Sequence, residues 1–276
     1  MQQELRQPSV IALDLDGTLL QSDGTMSPRT LAAVQQCVKV GIKPVIATAR
    51  PPRSVRRLLP PDFPAAPWAC YIGAEIYDCG ERIIQNDLSP EMARAIVCAI
   101  SELAPKATIS LEIDDQLFCS RPLKGPWLHQ VVPDLFAMID RPVATIIFDF
   151  TQEAELDAFR HRLPCACQLV PFLIEGDGWL ANILAPGVSK ALALEELVAR
   201  WGLTMEEVIA FGDDQIDIEM LVKCGTGVAM GNASPEVRAI ADIVTGTNDE
   251  DGVAQVLEQL VARAALSIEH SKAKDS

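Results

Sequence analysis

The stretch Val10-Ile11-Ala12-Leu13-Asp14-Leu15-Asp16-Gly17-Thr18-Leu19-Leu20 constrains the fold more than any other, because an apolar run there meets two carboxylates, a glycine and a threonine. Apolar residues without alternation predict a strand buried on both faces, the mark of a parallel sheet covered by helices. Charges at its C-terminal end fall where the loops of an open α/β sheet converge and ligands bind. Asp14 and Asp16 are two apart, so on an extended chain they share one face while Leu15 points the other way. Carboxylates held that close repel unless a cation or a shared proton relieves them, and a hard divalent ion such as Mg2+ is the natural relief. A solvated turn at Gly17 would account for one acidic pair as well, so at this point both readings stand.

The pattern continues as alternating helices and strands. Ser27-Pro28 opens a helix with Leu31, Val34 and Val38 on one face, and Gly41 closes it. Ile42 to Ala47 is a second buried strand ending at Thr48-Ala49-Arg50. A right-handed strand-helix-strand unit then brings Thr48 beside Asp14 at one sheet edge. Thr48 can offer a hydroxyl to a ligand or cap a helix starting near Pro52, and one residue could do both. Trp68 to Ile72 reads as a short strand, and Gly73 to Tyr77 as a turn into a hairpin.

Between residues 88 and 184 the character changes. Ser89-Pro90 opens an amphipathic helix through Leu103, followed by strands at Ala107–Ile113 and Gln116–Cys119 around an Asp114-Asp115 turn. A short helix at Pro126–Val131, a strand at Val143–Phe150, a helix at Glu153–His161, and strands at Cys165–Ile174 and Trp179–Ile183 complete an α+β segment of antiparallel character. This predicts an inserted second domain, with 1–87 and 185–276 forming the parent domain.

The parent pattern resumes at Gly187-Val188-Ser189-Lys190, at the start of a helix reaching Trp201. An ammonium at a helix N-terminus opposes the macrodipole, so Lys190 answers to an anion or is simply solvated. Val208 to Phe211 is another buried strand, and Gly212-Asp213-Asp214-Gln215-Ile216-Asp217 again sets carboxylates at its end. Gly227 to Ala233 is a strand and turn, Pro235–Ile240 a helix, Ile243-Val244 a last strand and Val253–Ala264 a last helix. Glu269–Ser276 reads as a polar, disordered tail.

Asp-Leu-Asp-Gly-Thr-Leu-Leu after an apolar strand, Thr48 with Arg50, Gly-Val-Ser-Lys at 187–190 and Gly-Asp-Asp at 212–214 together resemble the four motifs of the haloacid dehalogenase-like (HAD) hydrolases. With a large cap between the second and third motifs, the chain is similar to the Cof-type branch. The resemblance implies an α/β fold: a doubly wound, Rossmann-like parallel sheet with an inserted α+β cap that closes over the site and selects the substrate. It implies a phosphatase in which Asp14 attacks phosphorus and Asp16 serves as general acid and base. Leu15, Thr48 and Lys190 would bind the phosphate; Mg2+ would be held by Asp14, Asp213 and the backbone carbonyl of Asp16; Asp217 and Arg50 would support them. Ala49 replaces the family's usual glycine, and Ile72 and Ile216 stand where asparagines are usual. Those replacements motivate a second expectation, a weak or inactive relative that binds a phosphorylated ligand. A phosphoacceptor receiver domain would use similar residues but needs neither the cap nor Asp16.

Composition narrows the partners. A formal net charge of -15 argues against a nucleic-acid backbone or an anionic membrane surface. It leaves room for a small phosphorylated substrate in one locally basic cleft. No apolar run reaches membrane-spanning length and Met1–Pro8 is polar, so the expectation is a cytoplasmic protein. The eight cysteines form no zinc-type spacing, and Cys165 and Cys167 read as reduced strand residues. His129, His161 and His270 are scattered, which gives a histidine-based triad little support.

Overall fold

The computed structural model describes residues 7–124, 127–151, 153–163, 167–174 and 178–274. The chain divides into two compact units, 1–83 with 189–276, and 84–188.

The first unit opens with β1 (Val10–Leu13), whose four residues are fully buried. α1 (Pro28–Lys39) follows, with Ser27 accepting from the Thr30 amide at 3.0 Å and Pro28 in the first turn. β2 (Lys43–Ala47), α2 (Pro52–Leu58) and β3 (Trp68–Cys70) come next, then β4 (Glu75–Asp78) and β5 (Glu81–Gln85) as a hairpin. Cys79 and Gly80 turn that hairpin with φ of 49° and 84°, the left-handed pair that two-residue hairpin loops demand. Two details differ from the sequence reading. Thr48 does not cap α2, because Pro51 occupies the N-cap. The third strand stops at Cys70, because Tyr71 and Ile72 take positive φ of 51° and 60°, which no strand can continue through.

The second unit holds α3 (Pro90–Leu103), β6 (Ile109–Ile113), β7 (Gln116–Cys119), β8 (Gln130–Val131), β9 (Thr145–Phe150), α4 (Glu153–Arg160), β10 (Gln168–Ile174) and β11 (Gly178–Leu184). They form a six-stranded sheet in the order β10-β11-β9-β6-β7-β8, antiparallel except for the β7–β8 pair. Phe148 of β9 meets Phe159 of α4 at 4.7 Å between ring centroids, so the helical layer covers the face that carries Phe148. The expected helix at Pro126–Val131 is not formed by its described part. Gln130 and Val131 pair alongside Phe118 and Cys119 instead. Trp127 and Leu128 are exposed, so the segment had no apolar face to bury as a helix. Cys167 lies just before β10 rather than in it, and Cys165 falls outside the described residues.

The first unit then resumes with α5 (Lys190–Arg200), β12 (Val208–Gly212), α6 (Ile218–Lys223), β13 (Thr226–Ala229), α7 (Pro235–Ile240), β14 (Ile243–Val244) and α8 (Gly252–Lys274). Its sheet runs β14-β13-β12-β1-β2-β3-β4-β5, with the first six parallel and the β4–β5 hairpin antiparallel at one edge. Val10 pairs with Lys43 on one side and Val208 on the other, so the winding reverses at β1 and the loops after β1 and β12 open beside each other. The tail expected to be disordered is helical to Lys274, since Glu269, Lys272, Ala273 and Lys274 are good helix formers with no glycine or proline between. The division between units lies four residues outside both expected boundaries. On the N-terminal side it falls inside β5, a strand of the first sheet that runs on into the insertion. Among the described residues no helix is long and apolar enough to cross a membrane.

Candidate active site

Asp14 follows β1 directly, and its amide donates to the Phe211 carbonyl of β12 at 3.2 Å, which locks the two strand ends together. Lys190, the first residue of α5, is fully buried. Its Nζ donates to Asp14 Oδ1 at 2.6 Å and to Asp217 Oδ1 at 2.6 Å. That resolves the helix-terminus question: the ammonium sits against the dipole because two buried carboxylates hold it. Burial alone would lower its pKa, but Asp14 and Asp217 more than reverse this and raise it. Asp217 is the most heavily engaged carboxylate of the group, with three hydrogen bonds. Its Oδ2 accepts the amides of Asp213 and Asp214, each at 3.1 Å, so it orients Lys190 and shapes the loop after β12.

Asp213 approaches from that loop. Its Oδ1 accepts the Thr18 hydroxyl at 2.9 Å, and Asn232 Nδ2 lies 3.4 Å from Oδ2. Gly17 makes this approach possible. Its φ is 73°, and a Cβ there would lie 2.3 Å from Asp213 Oδ2. Burial pushes the Asp213 carboxyl up to about 7, with the Thr18 bond pulling the other way. Asp14 is also raised: burial is the largest cause, the charges of Asp217 and Asp213 add to it, and Lys190 opposes it.

One carboxylate oxygen from each of Asp14, Asp213 and Asp217 lies within 4.8 Å of the others. Two buried carboxylates and a half-buried one, against one ammonium, leave an excess of negative charge that a divalent cation with oxygen ligands would neutralise. The residues therefore fit such an ion. Asp217 is the least available of the three, which leaves Asp14 and Asp213 as the side chains able to hold it.

Asp16 stands apart from this cluster. Arg50 Nε and Nη2 donate to its two carboxylate oxygens, each at 2.6 Å, and the Asp16 side chain is 52% exposed. Thr48, at the end of β2, is fully buried, and its hydroxyl accepts the Arg50 amide at 3.1 Å, which leaves its own proton to donate. Leu15 has a buried side chain, so only its backbone can meet a ligand. Ile72 donates its amide to the Thr48 carbonyl at 2.9 Å from a left-handed conformation.

Two contributors escaped the sequence reading. Thr18 lies within the first motif, but nothing in the sequence pairs it with Asp213, 195 residues away. Asn232, within the Gly-Asn-Ala turn after β13, donates to the Gly17 carbonyl at 2.8 Å and accepts the Asn248 amide at 3.0 Å, tying three loops together. An asparagine between Gly231 and Ala233 in a turn after a buried strand is the available signal.

A family model described as haloacid dehalogenase-like hydrolase matches residues 11–257, and the chain belongs to that family, in its Cof-type branch. It is 30% identical to the 5-amino-6-(5-phospho-D-ribitylamino)uracil phosphatase YitU of Bacillus subtilis, over 91% of this chain and 97% of that one. It is 29% identical to the pyridoxal phosphate phosphatase YbhA of Escherichia coli, over 90% and 97%. Among solved structures, BT1666 of Bacteroides thetaiotaomicron, a phosphatase of the HAD superfamily, superposes with a TM-score of 0.81 at 26% identity, covering 92% of this chain and 95% of that one.

Proposed function

We propose that this chain is a phosphoric monoester hydrolase for small phosphorylated metabolites, sugar phosphates among them, working through an aspartyl phosphate on Asp14 with Mg2+ as cofactor. The observation that carries the reading is the buried Asp14–Lys190–Asp217 arrangement with Asp213 beside it, at the reversal point of the parallel sheet. The names of the YitU and YbhA relatives support the reaction class.

Attack requires Asp14 as a carboxylate. Burial works against that form, and the Lys190 ammonium at 2.6 Å works for it. In the first half-reaction an Asp14 oxygen bonds to phosphorus, the bond to the leaving oxygen breaks, and Asp16 gives that oxygen a proton. In the second, Asp16 takes a proton from water, the water oxygen bonds to phosphorus, and Asp14 leaves as carboxylate. Lys190 faces the charge of the transferring group while the Thr48 hydroxyl and the Leu15 backbone orient it. A divalent cation bound by Asp14, Asp213 and the backbone carbonyl of Asp16 would supply further positive charge to the phosphoryl oxygens. Asp217 acts by fixing Lys190. The inserted unit is given the choice of substrate, as the family resemblance implies.

The test is phosphate release from a panel of phosphorylated sugars and cofactors, with and without Mg2+, comparing the parent chain with Asp14→Asn. Metal-dependent release that disappears in the variant is expected. Release that survives in a folded Asp14→Asn protein would overturn the aspartyl-phosphate reading. No release by a folded parent chain would leave the ligand-binding alternative in its place.

A further inference from the structure

Lys190 and Arg50 both stand at the end of the parallel sheet, and their settings are opposite. Lys190 is fully buried between two carboxylates and cannot change partners without stranding charge in the interior. Arg50 pairs with a carboxylate that is half exposed to solvent, and its own side chain is 28% exposed. Solvent screens such a pair and offers both partners an alternative, so it is the kind of ion pair that another anion can displace.

The backbone of Arg50 is fixed while its side chain is partly exposed. Its amide donates to the Thr48 hydroxyl at 3.1 Å, its carbonyl accepts the Tyr71 amide at 3.2 Å, and α2 begins two residues later. The carboxylate that the guanidinium holds is only two residues past Asp14 on the loop after β1, so the fork is anchored close in the chain to the residue proposed to receive phosphorus. Its planar fork suits a phosphoryl group as well as a carboxylate, and a phosphate carries the greater charge.

Both oxygens of Asp16 are engaged by this fork. The geometry suits a carboxylate at rest. It does not suit a group that must turn toward a leaving oxygen and protonate it. Something has to loosen the clamp before the first half-reaction, and the arriving substrate brings an anion with it.

We propose that Arg50 is a positioning residue that senses the substrate: it holds Asp16 in the unliganded protein and exchanges Asp16 for the incoming phosphoryl group, freeing Asp16 to face the leaving oxygen. The proposal rests on the phosphatase reading above. It assigns to one side chain the coupling between phosphate binding and the availability of the acid.

The exchange is a competition, so it has a thermodynamic signature in a double-mutant cycle. Inorganic phosphate binding in buffer containing Mg2+ is measured by calorimetry for the parent chain, Asp16→Asn, Arg50→Gln and the double variant. Asp16→Asn removes the competitor and is expected to tighten phosphate binding about three- to tenfold, the range expected of a half-exposed bidentate pair. In the Arg50→Gln background the same Asp16→Asn change is expected to have no effect. In the parent chain, the Arg50 Nε–H resonance is expected to move on adding phosphate. Equal tightening in both backgrounds would reveal a general relief of negative charge and overturn the exchange, as would no tightening in either. A parent chain that binds no phosphate would overturn the phosphatase reading along with it, whereas binding without coupling between Asp16 and Arg50 would overturn the exchange alone.

Discussion

Replacing Lys190 with methionine keeps the volume of the buried side chain and removes only its charge and its hydrogen bonds. The lysine makes two charge-assisted bonds of 2.6 Å, and the side chains involved are 1%, 7% and 0% exposed. Hydrogen bonds to charged groups contribute about 1.5–3 kcal/mol each, and removing one partner of a buried ion pair costs about 3–5 kcal/mol. The variant is therefore expected to lose about 3–5 kcal/mol of unfolding free energy in metal-free buffer near pH 8. The loss has a built-in limit, because Asp14, already raised in the parent chain by burial and its acidic neighbours, can take up a proton once the ammonium is gone. The folded variant would then bind protons that the unfolded chain does not, so its stability falls as pH rises and recovers as pH falls. Urea unfolding followed by far-ultraviolet circular dichroism, in EDTA at about pH 8 and about pH 5.5, measures both effects. A loss below about 1 kcal/mol, or one identical at both pH values, would refute the claim that Lys190 holds an otherwise uncompensated carboxylate cluster.

The raised Asp213 has a signature of its own. Its folded value of about 7 exceeds the unfolded 3.8, so the stability it contributes is complete below the lower value and is lost as pH rises to the upper. The metal-free urea midpoint should fall between about pH 5 and about pH 7.5, Mg2+ should restore it at the higher pH, and Asp213→Asn should flatten both responses. Gly17→Ala would force a Cβ to within 2.3 Å of Asp213 Oδ2 at a φ of 73°, so the Mg2+-dependent rise in melting temperature should need about tenfold more metal. An unshifted titration would mean the loop after β1 can relax. Cys79→Asn puts the favoured residue at a left-handed turn position beside Gly80 and should raise stability by about 0.5–1 kcal/mol by urea unfolding; a loss would count against the turn geometry.

Much of the first unit was legible because its signals are local and redundant. The apolar runs at Val10, Val45 and Val208 could bury both faces only in a parallel sheet, and the serine caps at Ser27 and Ser89 announce their helices within three residues. The carboxylates at the ends of β1 and β12 share one edge by topology alone. What escaped was set by contacts between distant residues or by backbone conformation. The Arg50–Asp16 clamp joins two loops 34 residues apart, and no periodicity encodes it. The left-handed backbone at Ile72 is visible only in the fold, and it gives the asparagine usual at that position a conformational reason as well as a polar one, since asparagine tolerates φ above zero. An isoleucine held there, 4% exposed, stores strain that its burial offsets. β8 has no legible signal of its own, because two residues of edge strand owe their form to β7 and carry almost no pattern themselves.

The pairing of β1 with β12 also has a consequence for how the chain is made. Ser9, just before β1, bonds Glu207, just before β12, across 198 residues. At a ribosomal rate of about 5–20 residues per second, roughly 10–40 s separate the synthesis of the central strand from that of its second neighbour. Through that interval β2 can protect one edge of Val10–Leu13 and nothing native can protect the other, while the insertion, 84–188, is itself being made. Nascent chains of this protein should therefore bind holdase chaperones through the β1 segment until β12 emerges, and a circular permutant that makes β12 first should be released from them sooner.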